Sequence, residues 1–320
     1  MKPRDWLQLA LYVGVLAALT KPLGLYLVQV LDARGRTWLD PVLRPLERLT
    51  YRWMRLDPEK EQDWKEYALS LLLFSLVSCV FTYALLRCQQ WLPLNPQRFG
   101  AVNADLAFNT AVSFTTNTNW QNYGGESTLS YFSQMVGLTL HNFVSAAAGI
   151  GVAAALVRGI ARQSARTLGN FWVDLVRATF YLLLPVSVGL AVFLVSQGMI
   201  QNFKPYSRAA WVEPQAAPAG AVPTQAEPAT QMIVQGPMAS QVAIKMLGTN
   251  GGGYTNANAA QPFENPNPLS NFVQLLSIFS IGSALTYYLG RLVGNQRHGW
   301  TVWAAMMLMF LGGLWVCWPP

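Results

Sequence analysis

Charge is what this sequence has least of. Only 12% of its 320 residues are Asp, Glu, Lys or Arg, about half the share that a soluble globular domain carries. That scarcity excludes an ordinary solvated surface. Three cysteines (Cys79, Cys88, Cys317) and two histidines (His141, His298) have no spacing that suits a metal site or a disulfide framework. Cys79 and Cys317 lie in apolar runs and read as packing residues. The glycine-rich stretch Gly248–Gly253 lacks the lysine and following Ser/Thr of a nucleotide loop, and no G-x-G-x-x-G follows a strand. The first apolar run is too long, and lacks the small-residue cleavage pattern, for a removable signal peptide.

Apolar sequence is abundant instead: 52% of residues are hydrophobic and mean hydropathy is +0.25. Residues 67–86, 129–157, 178–203, 269–290 and 299–320 contain no charged side chain. Each matches or exceeds the roughly 20 residues that cross a bilayer core as a helix. Residues 7–31 make a sixth run, broken by Lys21-Pro22. The fold class that follows is an all-α polytopic membrane protein.

The net charge of +7 reads as topology and not as a nucleic-acid surface. Residues 32–66 hold eight Lys and Arg against eight acids, residues 158–177 hold Arg158, Arg162, Arg166 and Arg177 against Asp174 alone, and a third loop holds Arg291 and Arg297. The positive-inside rule puts these loops in the cytoplasm and the connections 88–128 and 199–268 outside.

Each outer connection carries a polar, helix-breaking segment: Thr115-Thr116-Asn117-Thr118-Asn119-Trp120-Gln121 and Gly248-Thr249-Asn250-Gly251-Gly252-Gly253-Tyr254. Short apolar stretches precede them, Asp105–Phe114 and Ser240–Leu247, long enough for a few helical turns and too short to span. After them comes the pattern L-S-x-F-x-Q, at 129–134 and again at 269–274, an offset of 140; Thr116-Asn117 and Thr249-Asn250 are 133 apart. The predicted unit is a spanning helix, a re-entrant pore helix, a filter loop and a second spanning helix, in parallel repeat, as in a potassium-channel pore. Residues 1–66 then hold the first helix (about 7–31) and a charged loop. Residues 67–160 hold the first unit (helices 67–87, 105–114 and 129–157, filter 115–121). Residues 161–298 hold the second (helices 175–200, 240–247 and 269–290, filter 248–254). Residues 299–320 begin a third. The Pro-rich segment 201–236 reads as an external insertion, of a composition that buries no core.

Irregular backbone at membrane depth survives only where it is buried or lines a wet cavity, and rings of backbone carbonyls replace the hydration shell of potassium. Gly251, Gly252 and Gly253 permit the needed conformations. Thr115, Thr116, Thr118 and Thr249 offer hydroxyls. Asn117, Asn119 and Asn250 are expected to brace the loops on neighbouring backbone. Trp120 and Tyr254 are expected to wedge each loop against its pore helix, with Gln121 at the outer mouth. A single Asn/Gly/Thr stretch is usually a surface turn; duplication reverses that reading. Asp105 and Lys245 read as functional or interfacial. Glu126 and Glu264 read as attracting cations or as solvated acids. His141 reads as a helix–helix contact ahead of a proton relay. Three functions stay open on residues alone: half of a pump's potassium site, a stand-alone potassium channel or transporter, and a non-transporting scaffold.

At 109–121, 128–135, 243–253 and Pro262–Pro266, and at Leu92-Pro93-Leu94-Asn95-Pro96, the chain resembles the potassium-binding subunit family (KdpA) of the bacterial Kdp potassium-transporting ATPase. The resemblance runs from about residue 20 to the C-terminus and is weakest over 205–230. It implies four pore units, two of them here, with the others expected on another chain or lost by truncation. It also implies a subunit of the bacterial inner membrane that takes external K+ at the filter and passes it through an intramembrane tunnel to a P-type ATPase subunit, KdpB, which hydrolyses ATP. A small subunit, KdpC, and a single-helix peptide, KdpF, would complete the complex. The chain itself would carry no catalytic residue, and no nucleotide, organic cofactor or nucleic acid would bind it.

Overall fold

Ten α-helices, one 3-10 turn (Gln89–Trp91) and two short strand pairs are found in the part of the chain that the computed structural model describes, residues 3–162, 166–210, 230–255 and 258–317. The helices are α1 (Pro3–Val30), α2 (Asp40–Met54), α3 (Trp64–Cys88), α4 (Ala104–Thr115), α5 (Gly125–Thr128), α6 (Ser133–Ala161), α7 (Phe171–Ser196), α8 (Met238–Leu247), α9 (Pro268–Leu292) and α10 (Gln296–Cys317). Six of them, α1, α3, α6, α7, α9 and α10, are long and apolar enough to cross a membrane. Leu69, Leu72, Leu73, Leu76, Val77 and Val80 of α3, and Leu308, Met309 and Trp315 of α10, point outward, as side chains facing lipid would.

The ladders are small. β1 (Gln62–Asp63) pairs antiparallel with β2 (Thr167–Gly169), and β3 (Ser207–Ala210) with β4 (Thr230–Ile233). The second ladder closes the ends of the Pro-rich segment, so the edges of that stretch are ordered by strand pairing. Its middle lies outside the described residues, as do the residues after Cys317.

Two prolines sit inside spans, and the fold treats them differently from expectation. Lys21-Pro22 does not break the first run: α1 is continuous with Pro22 inside it. Neighbouring helices hold such a helix together. The crossing with α9 is close, since a Cβ on Gly24 would come 2.7 Å from the Tyr287 Cβ. In α7, Pro185 has no N–H to give to the Tyr181 carbonyl four residues earlier. The helix widens to a π-turn over Ala178–Leu183, and the Tyr26 hydroxyl of α1 donates to that carbonyl at 2.5 Å.

The loop arginines read as orientation markers are structural at two positions. Arg158 and Asp174 form a buried two-pronged ion pair, both contacts 2.7 Å, and Tyr67 donates to the same carboxylate at 3.0 Å. Arg158 also donates to the Leu31 carbonyl at 2.5 Å. Arg177 donates to Glu47 at 2.9 Å and to the Val30 carbonyl at 2.7 Å. The last carbonyls of α1, which no helical N–H can reach, are thus capped by two cations from α6 and α7, the sign that the negative end of a helix dipole favours. At the rim, Glu61 accepts from Arg162 at 2.8 Å and from the Thr167 hydroxyl. Those bonds, Arg162 first, hold its carboxyl below the ordinary glutamate range.

Removing one partner of a buried pair leaves an uncompensated charge and costs about 3–5 kcal/mol. Asp174→Asn should therefore lower the thermal unfolding midpoint of the purified protein markedly. A midpoint equal to that of the unaltered protein would show that the pair does not hold α1, α6 and α7 together.

Candidate functional site

The two polar segments lie side by side and share one backbone pattern. After α4, the N–H groups of Thr116, Asn117 and Thr118 donate to the carbonyls of Val112, Phe114 and Ser113, at 3.0, 3.4 and 3.0 Å. After α8, those of Gly248, Thr249 and Asn250 donate to Ile244, Met246 and Lys245, at 2.9, 3.3 and 3.1 Å. Each of these three donor–acceptor pairs recurs 132 residues later. The left-handed residues recur at the same offset, Asn117 (φ 63°) and Asn119 (φ 54°) against Thr249 (φ 55°) and Gly251 (φ 102°). The Thr-Asn match predicted an offset of 133 and is corrected by one residue. The register follows the left-handed positions, which Asn and Gly tolerate, and not side-chain identity. Thr249 is β-branched, so its left-handed backbone is a strained outlier that the surrounding bonds must enforce.

Polar side chains tie the loops to each other and to α6. Gln121 accepts from the Gly253 N–H at 2.8 Å and donates to the Gly253 carbonyl at 3.3 Å, so it clips the two loops together. Asn250 donates to the Asn117 side-chain oxygen, which also accepts from Ser145 at 2.8 Å. Asn119 donates to Asn142 at 2.8 Å. The asparagines therefore brace through side chains of α6 and of the opposite loop, where neighbouring backbone was expected. Thr116 and Thr118 pair through their hydroxyls at 2.9 Å. The side-chain oxygens of Asn119 and Asn250 are buried without a hydrogen-bond partner.

Phe114 is fully buried, and a Cβ on Gly252 would come 2.8 Å from its ring. Gly252 thus lets the second loop lie close on the aromatic end of α4. Tyr254 is buried, donates to the Gln235 carbonyl at 2.8 Å and packs near Tyr131 with ring centroids 6.4 Å apart. Trp120 is not its counterpart: 55% of it is exposed, and its carbonyl accepts from Ser113 at 3.1 Å. The buried aromatic of the first loop is Tyr123, which packs with Phe114 and Leu85.

The strongest strut went unseen in the sequence. Lys245 and Glu264 are both fully buried and 3.0 Å apart, so neither is interfacial or solvated. The carboxylate also accepts from the Tyr254 N–H at 3.0 Å and from the Thr255 hydroxyl. Gln274 donates to the Glu264 carbonyl at 2.9 Å and Gln134 to the Tyr254 carbonyl at 3.0 Å. These are the two glutamines of L-S-x-F-x-Q, and each holds the second loop from a different span. Gln134 sits in a π-helical stretch, Ser133–Thr139, a distortion common at functional sites. Asp105 is exposed in the first turn of α4, where the helix dipole favours an acid. His141 is buried against Thr82 of α3 and the Gly137 carbonyl, a helix–helix contact.

Below the loops opens a cavity of about 460 Å³, lined by Thr115, Thr116, Asn117, Gly248, Thr249 and Ser145, with Leu71 and Ile281 on its apolar wall. Among the described residues no cluster of His, Cys, Asp and Glu could hold a transition metal. The donors at hand are neutral oxygens.

A family model described as the potassium-transporting ATPase A subunit, KdpA, matches residues 10–319. The chain belongs to this family. It is 54% identical over 319 residues to a potassium-transporting ATPase potassium-binding subunit of Koribacter versatilis, covering 98% of this chain and 54% of that protein. It is 56% identical over 314 residues to the subunit of that name in Methylorubrum extorquens, covering 98% and 52%. One from Granulibacter bethesdensis is 54% identical over 314 residues, covering 98% and 53%. The chain spans about half the length of the curated relatives it matches.

Glu264→Gln removes the counter-charge of a buried lysine and should cost about 3–5 kcal/mol. Lys245→Met with Glu264→Gln should recover part of that loss. Thermal unfolding of both variants checks this, and a single variant as stable as the double would contradict it.

Proposed function

We propose that this chain supplies two adjacent sides of a potassium-selecting filter in an ATP-driven uptake system. The observation that carries the reading is the matched pair of loops, each with two left-handed residues two positions apart, and the Gln121–Gly253 clip between them. A backbone of that kind turns successive carbonyls toward one side, where neutral oxygens can replace a hydration shell without a fixed charge that traps the ion. The unpartnered oxygens of Asn119 and Asn250 add acceptors that a cation can satisfy. The names of the relatives supply the ion: potassium is the species their subunits are said to bind.

On this reading α3–α4–loop–α6 and α7–α8–loop–α9 are two of four pore units around one axis. Thr115, Thr116, Asn117, Thr118, Asn119, Gln121, Gly248, Thr249, Asn250, Gly251, Gly252 and Gly253 form their share of the filter. Both loops face outside, the arginine-rich loops face the cytoplasm, and α10 opens a third unit. The cavity under Thr116 and Gly248 is where the ion leaves the filter toward the tunnel. The chain does no chemistry itself. A P-type ATPase subunit (KdpB) hydrolyses ATP, with KdpC and KdpF completing an assembly in the bacterial inner membrane.

The test is potassium-stimulated ATP hydrolysis after co-expression with the ATPase subunit and a chain supplying the rest of the relatives' length. Gln121→Arg and Gly251→Asp should each raise the potassium concentration for half-maximal stimulation by about tenfold or more, the equivalent of about 1.4 kcal/mol. Unchanged affinity and unchanged discrimination against sodium in both variants would refute the filter. Potassium conduction by the chain without ATP would favour a channel.

A further inference from the structure

The charged loop between α1 and α3 contains an amphipathic helix that the filter reading does not use. One face of α2, Leu43, Glu47 and Tyr51, is buried. It packs on Val173, Val176 and Phe180 of α7 and is pinned by the Glu47 bonds to Arg177 and Tyr181. A second stripe, Val42, Leu46, Leu49 and Trp53, repeats at helical spacing and is exposed at 69%, 48%, 62% and 89%, with Trp38 just before the helix at 76%. A third row, Arg44, Arg48 and Arg52, also repeats at helical spacing. At about 100° per residue the apolar stripe and the arginine row lie on opposite flanks of the packed face.

We propose that α2 is an interfacial helix that lies on an anionic phospholipid surface, its apolar stripe in the headgroup–acyl boundary and its arginines on lipid phosphates. Continuity argues for lipid as the occupant. The helix starts ten residues after the last residue of the span α1 and packs where α7 begins, so its exposed stripe sits at the end of the membrane-crossing helices. Charge argues the same way. An interfacial helix couples a large apolar face to basic residues beside it, and Trp38 and Trp53 at its two ends are the residues that membrane–water boundaries favour. Among the described residues Arg48 and Arg52 form no ion pair, Arg44 reaches Asp40 only at 3.8 Å, and all three are exposed. Basic residues close to an anionic surface are attracted to it, and the attraction fades within a Debye length.

A nitroxide at position 49 tests this, introduced by Leu49→Cys in a chain with Cys79→Ser, Cys88→Ser and Cys317→Ser, reconstituted in phosphatidylcholine bilayers with or without phosphatidylglycerol. The label should be open to oxygen and shielded from a water-soluble nickel chelate. The shielding should deepen with phosphatidylglycerol, and Arg44→Gln, Arg48→Gln and Arg52→Gln together should abolish that dependence. A label as open to nickel as one at position 60, or one closed to both reagents because protein covers it, overturns the proposal. In the chain with its own cysteines, Trp53→Phe should reduce the tryptophan emission quenched by lipids brominated near the headgroup. Unchanged quenching would overturn the proposal independently of the labelled variant.

Discussion

Two stretches of non-helical backbone sit among apolar helices, and the polar groups they free must find partners inside the protein, because hydrocarbon offers none. Much of the interior follows from that constraint. α6 contributes Gln134, Asn142 and Ser145, each bonded to one loop or the other. α8 contributes Lys245, which neutralises Glu264, and that carboxylate holds the Tyr254 N–H. The loops clip to each other through Gln121. Strained left-handed residues such as Thr249 persist because these bonds over-determine them.

The opposite end of the bundle solves the same problem with charge. The buried carbonyls at the end of α1, beyond reach of any helical N–H, take donors from Arg158 and Arg177, whose own charges are met by Asp174 and Glu47. α1, α2, α6 and α7 are fastened there as one unit. Polar networks thus close both ends, and between them the spans are joined mainly by apolar packing, with close crossings such as Gly24 on Tyr287 and Gly151 on Tyr67. Membrane helices commonly use small residues in this way.

The spans and the two short helices were legible in the sequence because charge-free runs and their lengths are local properties. Asp105–Phe114 and Ser240–Leu247 differ from the observed Ala104–Thr115 and Met238–Leu247 by two residues at most. What depended on contacts across the fold was not legible. The repeat register shifted from 133 to 132 because backbone handedness, not the Thr-Asn pair, defines equivalence. Trp120 gave way to Tyr123 because burial of a loop aromatic depends on the helix behind it. Glu264 looked like a solvated acid because its partner lies nineteen residues away. Arg158 and Arg177 carry the sign that topology rules count, yet their buried acids lie in other elements. The signal for α2 was present in Val42, Leu46, Leu49 and Trp53, masked by the density of charge around them.

On the proposed reading the two loops present their carbonyls to one potassium ion. Thallium(I), a potassium mimic with strong anomalous scattering, tests it directly in crystals of the assembled protein. An anomalous peak is expected between residues 116–121 and 248–253, within coordination distance of backbone carbonyls from both loops. Ordered loops with no peak between them, and thallium bound only elsewhere, would contradict it.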